Sequence, residues 1–166
     1  EKMALPGAPM DELLLRNLSD EDLPLLKRWL YLPHVSRWYH DPLDWLEEVE
    51  KRKDEFSFLH HFIVEVGGHA VGFCQFYEYR YSGESWHGDT DIEGTYSIDY
   101  LIGDTGYLGK GFGKGIIRSL VERIRRQYNA RRILVQPEPE NKASCNALLS
   151  CGFTLDKTKS FYILTL

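Results

Sequence analysis

At 166 residues, 43% of them hydrophobic, the chain has the size of one ordinary domain and enough apolar content to bury a core. Its formal charge of -5 weighs against nucleic acid as the main partner and suits a cationic ligand. No apolar run approaches the roughly 20 residues of a membrane span, and the opening EKMALPGAPM has no signal-peptide core, so a cytoplasmic protein with no membrane partner is expected.

A short N-terminal tail (1–11) and a single domain (12–166) follow from the absence of any internal linker, repeat or low-complexity tract. ELLLRNL (12–18) reads as a first strand. Ser19 or Asp20 can cap a helix whose first turn carries Glu21 and Asp22. Leu23, Leu26, Trp29 and Leu30 then recur at helical spacing, and Pro33 ends the run. Asp41-Pro42 predicts a second helix with Leu43, Leu46 and Val49 on one face. HFIVEVGGHAVGFCQFYEYRY (61–81) is two apolar runs joined through Gly67-Gly68, a hairpin signal. A polar loop (82–94) leads to TYSIDYLIG (95–103), a central strand. Ile116, Ile117, Leu120, Val121 and Ile124 form a helical stripe, RRILVQP (131–137) is a strand, and a helix from Asn141 ends at Gly152. FTLDKTKSFYILTL closes with paired strands. The expected fold class is α/β: one mixed sheet flanked by helices.

Cys74, Cys145 and Cys151 are odd in number and have neither a CxxC pair nor metal-ligand spacing, so they read as reduced core cysteines with no metal. His60, His61, His69 and His87 lack metal spacing and a paired base, and are read as surface or turn residues. The aromatic share, 13% with four Trp and ten Tyr, exceeds what a core of this size demands, so some of these rings are expected to line a pocket.

LGKGFGK (108–114) sits between the central strand and a helix. It is not a Walker A loop, because Leu108 stands where the first glycine belongs and Gly115 where Ser or Thr belongs. It is not a dinucleotide fingerprint either, because Lys114 stands at the third glycine. What remains is a glycine loop opening a helix, where orphan amides converge on an anion.

This loop resembles the pyrophosphate-binding loop of the GNAT acetyltransferase superfamily, with Gly111 and Gly113 at its last two positions and Leu108 in place of the usual Gln or Arg. NKASCNALLSCGF resembles a second hallmark of that superfamily, carried by Asn141, Ser144, Gly152 and Phe153. The resemblance implies a GNAT fold with a central, mostly antiparallel sheet, and acetyl-CoA as cofactor. It places the pyrophosphate on Gly109, Lys110, Gly111, Phe112, Gly113 and Lys114. It pairs the pantetheine arm with Tyr100, Leu101 and Ile102, and brings Asn141 in from the other side.

The run W…DTD.EG…SIDYLIG…LGKGFGKG and the segment VSRWYHDP are similar to the aminoglycoside 6′-N-acetyltransferases. That likeness implies transfer of acetyl to the 6′-amine of an aminoglycoside by direct attack in a ternary complex, and antibiotic resistance. Asp99 falls on the family's active-site aspartate. A carboxylate in a strand flanked by Ile98 and Leu101 is costly unless paired, and it can hold an ammonium and accept its proton. Its structural alternative is an aspartate bonded to neighbouring amides.

Asp89, Asp91 and Glu93 are candidate rim carboxylates for a polycationic amine, and Trp38, Tyr39 and Trp86 are candidate walls. Gln136 stands where some of these enzymes carry a second acid. Leu148 stands where many GNAT members carry a proton-donating tyrosine, which leaves Ser144, another tyrosine or solvent for that role. Other acceptors stay open, namely another small amine, a siderophore hydroxylamine or a protein terminus, as does a non-catalytic acyl-CoA-binding module. By family resemblance the chain is a monomer or a homodimer.

Overall fold

The structure, a computed structural model, describes residues 13–166; the expected tail and Glu12 lie outside the described residues. Seven strands form one sheet in the order β1-β2-β3-β4-β5-β7-β6. They are β1 (Leu13–Asn17), β2 (His60–Val66), β3 (His69–Glu78), β4 (Thr95–Ile102), β5 (Arg132–Val135), β6 (Thr154–Asp156) and β7 (Phe161–Thr165). Every pairing is antiparallel except β4 with β5. The helices are α1 (Leu23–Leu30), α2 (Pro33–Ser36), α3 (Pro42–Glu50), α4 (Phe112–Gln127) and α5 (Lys142–Ser150). The mostly antiparallel mixed sheet matches the expected fold class.

Alternation along the strands sorts side chains onto two faces. Phe62, Val64, Cys74, Phe76, Tyr96 and Ile98 face α4 and α5, where they meet the stripe Ile116, Ile117, Leu120 and Ile124 together with Leu148. Ile63, Phe73 and Leu101 face the other way, onto Leu26, Trp29, Leu30, Leu46 and Val49 of α1 and α3. On this second face the apolar packing stops short. Further along the same strands it gives way to His61, Gln75, Tyr77, Ser97 and Asp99.

Two expectations are corrected here. Leu43 is 69% exposed, so α3 buries only Leu46 and Val49 of the three residues assigned to its inner face. His61 is a buried β2 residue stacked near Phe73, and His60 stacks on Phe76; neither sits in a turn. The hairpin through Gly67 and Gly68 forms as expected, with both residues at positive φ. Cys74 and Cys145 are buried and unpaired, and Cys151 is half-buried and unpaired.

Gly103, just after β4, lies under the indole of Trp29, and an added Cβ would fall on that ring. Trp29 is nearly fully buried and cannot retreat without opening the α1 packing. Gly103→Ala is therefore expected to destabilise the fold by about 1–3 kcal/mol, the usual cost of overpacking a core. Trp29→Leu should recover part of that loss in a thermal melt of the double variant.

Candidate active site

β4 and β5 share only two paired positions, Thr95 with Arg132 and Tyr96 with Ile133. Beyond them β4 stays on β3 as far as Ile102, and β5 stays on β7 as far as Val135. The two strands part, and the outer edge of β4 opens onto a cleft. An unpaired strand edge leaves backbone groups to be satisfied. Here the chain supplies side chains. The Tyr39 hydroxyl accepts from the Tyr100 N–H at 3.2 Å and donates to the Tyr100 carbonyl. His34 Nε2 donates to the Ile102 carbonyl at 2.9 Å.

The Leu101 carbonyl turns the opposite way, onto Gly72 of β3, where a Cβ would collide with it. Of residues 100–102, Tyr100 and Ile102 therefore offer backbone groups to the cleft and Leu101 does not. Leu101 also borders the larger cavity of this cleft, but successive residues of a strand point their backbone groups to opposite sides, so its carbonyl serves β3.

The cleft holds two adjoining cavities, of about 410 and 380 Å³. Trp38, Tyr39, Tyr100, Asn141 and Ser144 border both, so the two meet at these residues. The Tyr100 and Ser144 hydroxyls lie 3.4 Å apart at this junction. Asn141 caps α5, its Oδ1 accepting from the Ser144 N–H at 3.3 Å.

The larger cavity runs from the open edge of β4 to the start of α4 and includes Leu108, Gly109, Gly111, Phe112, Gly113 and Lys114. Gly109 and Gly111 have φ of +70° and +85°, and the space where a Cβ would project from either is open. The first α4 backbone bond runs from Gly115 N to the Gly111 carbonyl at 3.4 Å, and no side chain caps this end. The amides of Phe112, Gly113 and Lys114 precede that bond. Phe112 contributes only backbone, since its ring is in the core. Lys110 is exposed and stands outside the cavity wall. A loop of left-handed glycines, uncapped amides and two lysines fits a phosphate-bearing ligand.

The smaller cavity is aromatic and acidic. Trp38, Tyr39, Trp45, Tyr77 and Trp86 form walls, and Glu84, Asp99 and Glu138 bring carboxylates. Trp86 is set edge-on against Tyr79, with ring centroids 5.0 Å apart. Gln136 borders this cavity as expected. Asp89, Asp91 and Glu93 border neither cavity and are corrected on that point. Asp89 pairs with Lys159, Glu93 lies 3.7 Å from Arg131, and Asp91 Oδ1 accepts from the Glu93 N–H at 2.9 Å. Basic residues after β4 tie this loop down, which no local pattern announces. His87 is likewise held aside, against the Tyr79 hydroxyl.

Asp99 lies at the floor, half-buried, with Oδ2 accepting from Gln75 Nε2 at 2.8 Å. Burial pushes its carboxyl up to about 6, the Gln75 hydrogen bond works against that rise, and Glu84 adds to it. Above that value Asp99 is an anion waiting for a cation. Glu48 on α3 was not anticipated. Burial, and then the neighbouring Asp99 and Glu84, push it up to about 7. Glu84, Glu138, Glu48 and Gln75 were missed because their approach to Asp99 crosses four different elements. Only Gln75, a lone amide in the apolar run VGFCQFY, left a trace in the sequence.

The sequence profile of the acetyltransferase (GNAT) domain family matches residues 19–161. The chain belongs to that family. Aminoglycoside N(6′)-acetyltransferases type 1 of Klebsiella pneumoniae and of Serratia marcescens are each 26% identical to it over 149 residues, covering 86% of this chain and 74% of theirs. The solved structure of AAC(6′)-Ib with paromomycin and acetyl-CoA superposes with a TM-score of 0.80 at 25% identity, covering 93% of this chain and 94% of that one. The same protein with ribostamycin and coenzyme A gives 0.79 at 25% identity, with the same coverage. A spermidine N-acetyltransferase from Vibrio cholerae, at 20% identity and a TM-score of 0.70 over 88% of this chain and 83% of its own, shares the fold. Leu148, at the family's usual tyrosine position, is fully buried in the core and contributes no hydroxyl.

Asp99 carries a folded pKa above its ordinary carboxylate value, so its ionised form costs stability above about pH 6. That cost disappears as the pH falls and the folded carboxyl takes up its proton. Asp99→Asn is therefore expected to melt higher than the unaltered protein near pH 8. The gap should narrow as the pH is lowered toward 5, as read by scanning fluorimetry.

Proposed function

We propose that the chain is an acetyl-CoA-dependent N-acetyltransferase whose acceptor is the 6′-amine of an aminoglycoside, and that its activity confers resistance to such antibiotics. One observation carries the reading. A cavity built for a phosphate-bearing ligand meets, at Tyr100 and Ser144, a second cavity with aromatic walls and a partly buried carboxylate on its floor. The names of the relatives agree with both halves.

The glycine loop and the first turn of α4 would hold the pyrophosphate through backbone amides, with Lys114 adding charge at the wall and Lys110 outside it. The open edge of β4 would orient the arm through Tyr100 and Ile102 once Tyr39 and His34 give up the hydrogen bonds they make there. When bound, acetyl-CoA supplies an acetyl group activated as a thioester. The rest is done by the chain. Asp99, Glu84 and Glu138 attract and fix a polycationic acceptor, and the tryptophans seat its rings.

An alkylammonium is mostly protonated near neutral pH and cannot attack until it loses a proton. Asp99, ionised above about pH 6, orients the ammonium and takes that proton directly or through a water. The hydroxyls at the junction belong to Tyr39, Tyr100 and Ser144. Burial holds both tyrosines above their ordinary pKa, so they stay protonated; Tyr39 spends its proton on the Tyr100 carbonyl, which leaves the Tyr100 and Ser144 hydroxyls as the donors at the junction. Such a site works by direct attack in a ternary complex. It needs no covalent enzyme intermediate. The remaining features of the reading are a single domain over 12–166, a cytoplasmic location and a monomeric or homodimeric state.

Thiol release from acetyl-CoA on kanamycin, ribostamycin, spermidine and a hydroxylamine acceptor tests this reading, with Asp99→Asn in parallel. Turnover on the two aminoglycosides, falling by a factor of 100 or more in the Asn variant, is the expected outcome, in line with the loss of a general base. Turnover confined to spermidine or the hydroxylamine would move the acceptor to another amine class. Acetyl-CoA binding with no turnover on any acceptor would make the chain a binding module.

A further inference from the structure

Behind Asp99, on the face of the sheet that carries α1 and α3, lies a row of polar side chains with no obvious business in a core. His61 of β2 is directly paired with Gln75 of β3, and Gln75 is directly paired with Asp99 of β4. Directly paired residues of antiparallel strands point to the same face with their Cβ atoms about 5 Å apart. The three side chains thus cross three strands in a line that ends at the cavity floor.

His61 and Gln75 are 7% and 3% exposed. Gln75 Nε2 donates to Asp99 Oδ2 at 2.8 Å. Among the described residues, Gln75 Oε1 and both ring nitrogens of His61 make no hydrogen bond, although the two side chains are directly paired neighbours with complementary groups. Buried polar groups without partners are rare and costly, which marks this row as retained for a purpose other than stability.

We propose that Gln75 and His61 are positioning residues for Asp99: a small turn of the His61 ring lets its N–H donate to Gln75 Oε1, the unpartnered acceptor beside it, which fixes the amide so that Nε2 faces the carboxylate and leaves Asp99 Oδ1 for the acceptor amine. This rests on the reading of Asp99 as the group that binds and deprotonates the acceptor.

The two ends of a glutamine amide are nearly the same size, so partners and not shape decide which end faces which way. Turned over, Oε1 would confront the anion of Asp99 and the amide donors would face His61. The ring can hold the amide only if it is neutral and keeps one N–H toward Gln75. Burial, with Arg52 nearby, lowers His61 to about 4, and Gln75 opposes that fall, the direction expected when the ring donates to the amide oxygen.

His61 is thus neutral wherever Asp99 is ionised, and the row carries no charge of its own. The charged or titratable groups facing Asp99 are Glu84 from the loop after β3, Glu48 from α3 and the hydroxyls of Tyr39 and Tyr77. Those facing His61 are Arg52, beyond α3, and His60. Burial and the charge of Glu84 resist the ionisation of Asp99, and the Gln75 hydrogen bond opposes them. Gln75 is therefore what keeps it ionised near neutrality.

The experiment measures the Asp99 carboxyl directly, by NMR titration of the cofactor-free protein labelled at the aspartate carboxyl carbon, alongside the pH profile of transfer. The variants are Gln75→Met, His61→Phe, His61→Gln and Asp99→Asn. Gln75→Met keeps the volume and removes the donor. It should raise the Asp99 pKa by about one unit and move the acid limb of kcat/KM up by the same amount, with acetyl-CoA binding unchanged.

His61→Phe keeps the ring beside Phe73 and removes the N–H. It should shift the carboxyl in the same direction by less, and His61→Gln, which restores a donor, should return it toward the original value. Folded variants whose Asp99 titrates as in the unaltered protein would overturn the relay, as would a uniform loss of rate at every pH. If Gln75→Met does not fold, the His61 pair decides by the same readouts. Full transfer by Asp99→Asn would instead sink the role assigned to Asp99, while the NMR shifts would still report whether the row exists.

Discussion

The site depends on the parting of β4 and β5. Two residues of parallel pairing hold the strands together at Thr95 and Tyr96, and beyond them β5 belongs to β7. Had the pairing continued, the edge of β4 would be closed and no ligand could reach the middle of the sheet. Because it stops, the carbonyls and amides of Tyr100 and Ile102 face a cleft. The cleft is bordered by the glycine loop, by the first turn of α5 and by Tyr39 in the segment after α2. The polar edge is not left bare. Tyr39 and His34 satisfy it, as a buried backbone requires.

The two faces of the sheet divide the work. Tyr100 projects toward α5 and meets Ser144, on the side where the glycine loop opens α4. Asp99, one residue earlier, projects to the other face among Gln75, Tyr77 and Ser97. Strand alternation by itself therefore puts the Asp99 carboxylate and the Tyr100 and Ser144 hydroxyls on opposite sides of one edge. An acceptor reaching Asp99 and a donor lying along β4 would meet at that edge.

The electrostatics run against stability. Asp99 and Glu48 are both pushed upward by burial and by the charge of Glu84, and Glu48 also by Asp99; the Gln75 hydrogen bond offsets only part of the strain at Asp99. A cationic acceptor relieves it by supplying the missing countercharge. The aromatic walls sharpen this effect, since they exclude water while adding no charge of their own. The acidic loop at 89–93 shows the contrast: Asp89 is met by Lys159 and Glu93 by Arg131, away from the cavity that Asp99 floors.

The sequence alone determined the local elements and the glycine loop ahead of α4. Hydrophobic period, caps and the Gly67-Gly68 turn are short-range signals, and so are glycines ahead of a helix stripe. Asp99 was legible too, because a carboxylate between Ile98 and Leu101 violates the pattern of a buried strand. Only the tertiary structure decided which other carboxylates join it. Glu48, Glu84 and Glu138 come from a helix and two separate loops, while the acidic run nearest in sequence lies outside the cavity, with Asp89 and Glu93 on cations. It also decided that Leu101 turns its carbonyl to β3 and that His61 is buried behind Gln75. The reason is the same in each case: strand register and the point where β4 leaves β5 are set by packing across the whole sheet, and no local stretch encodes them.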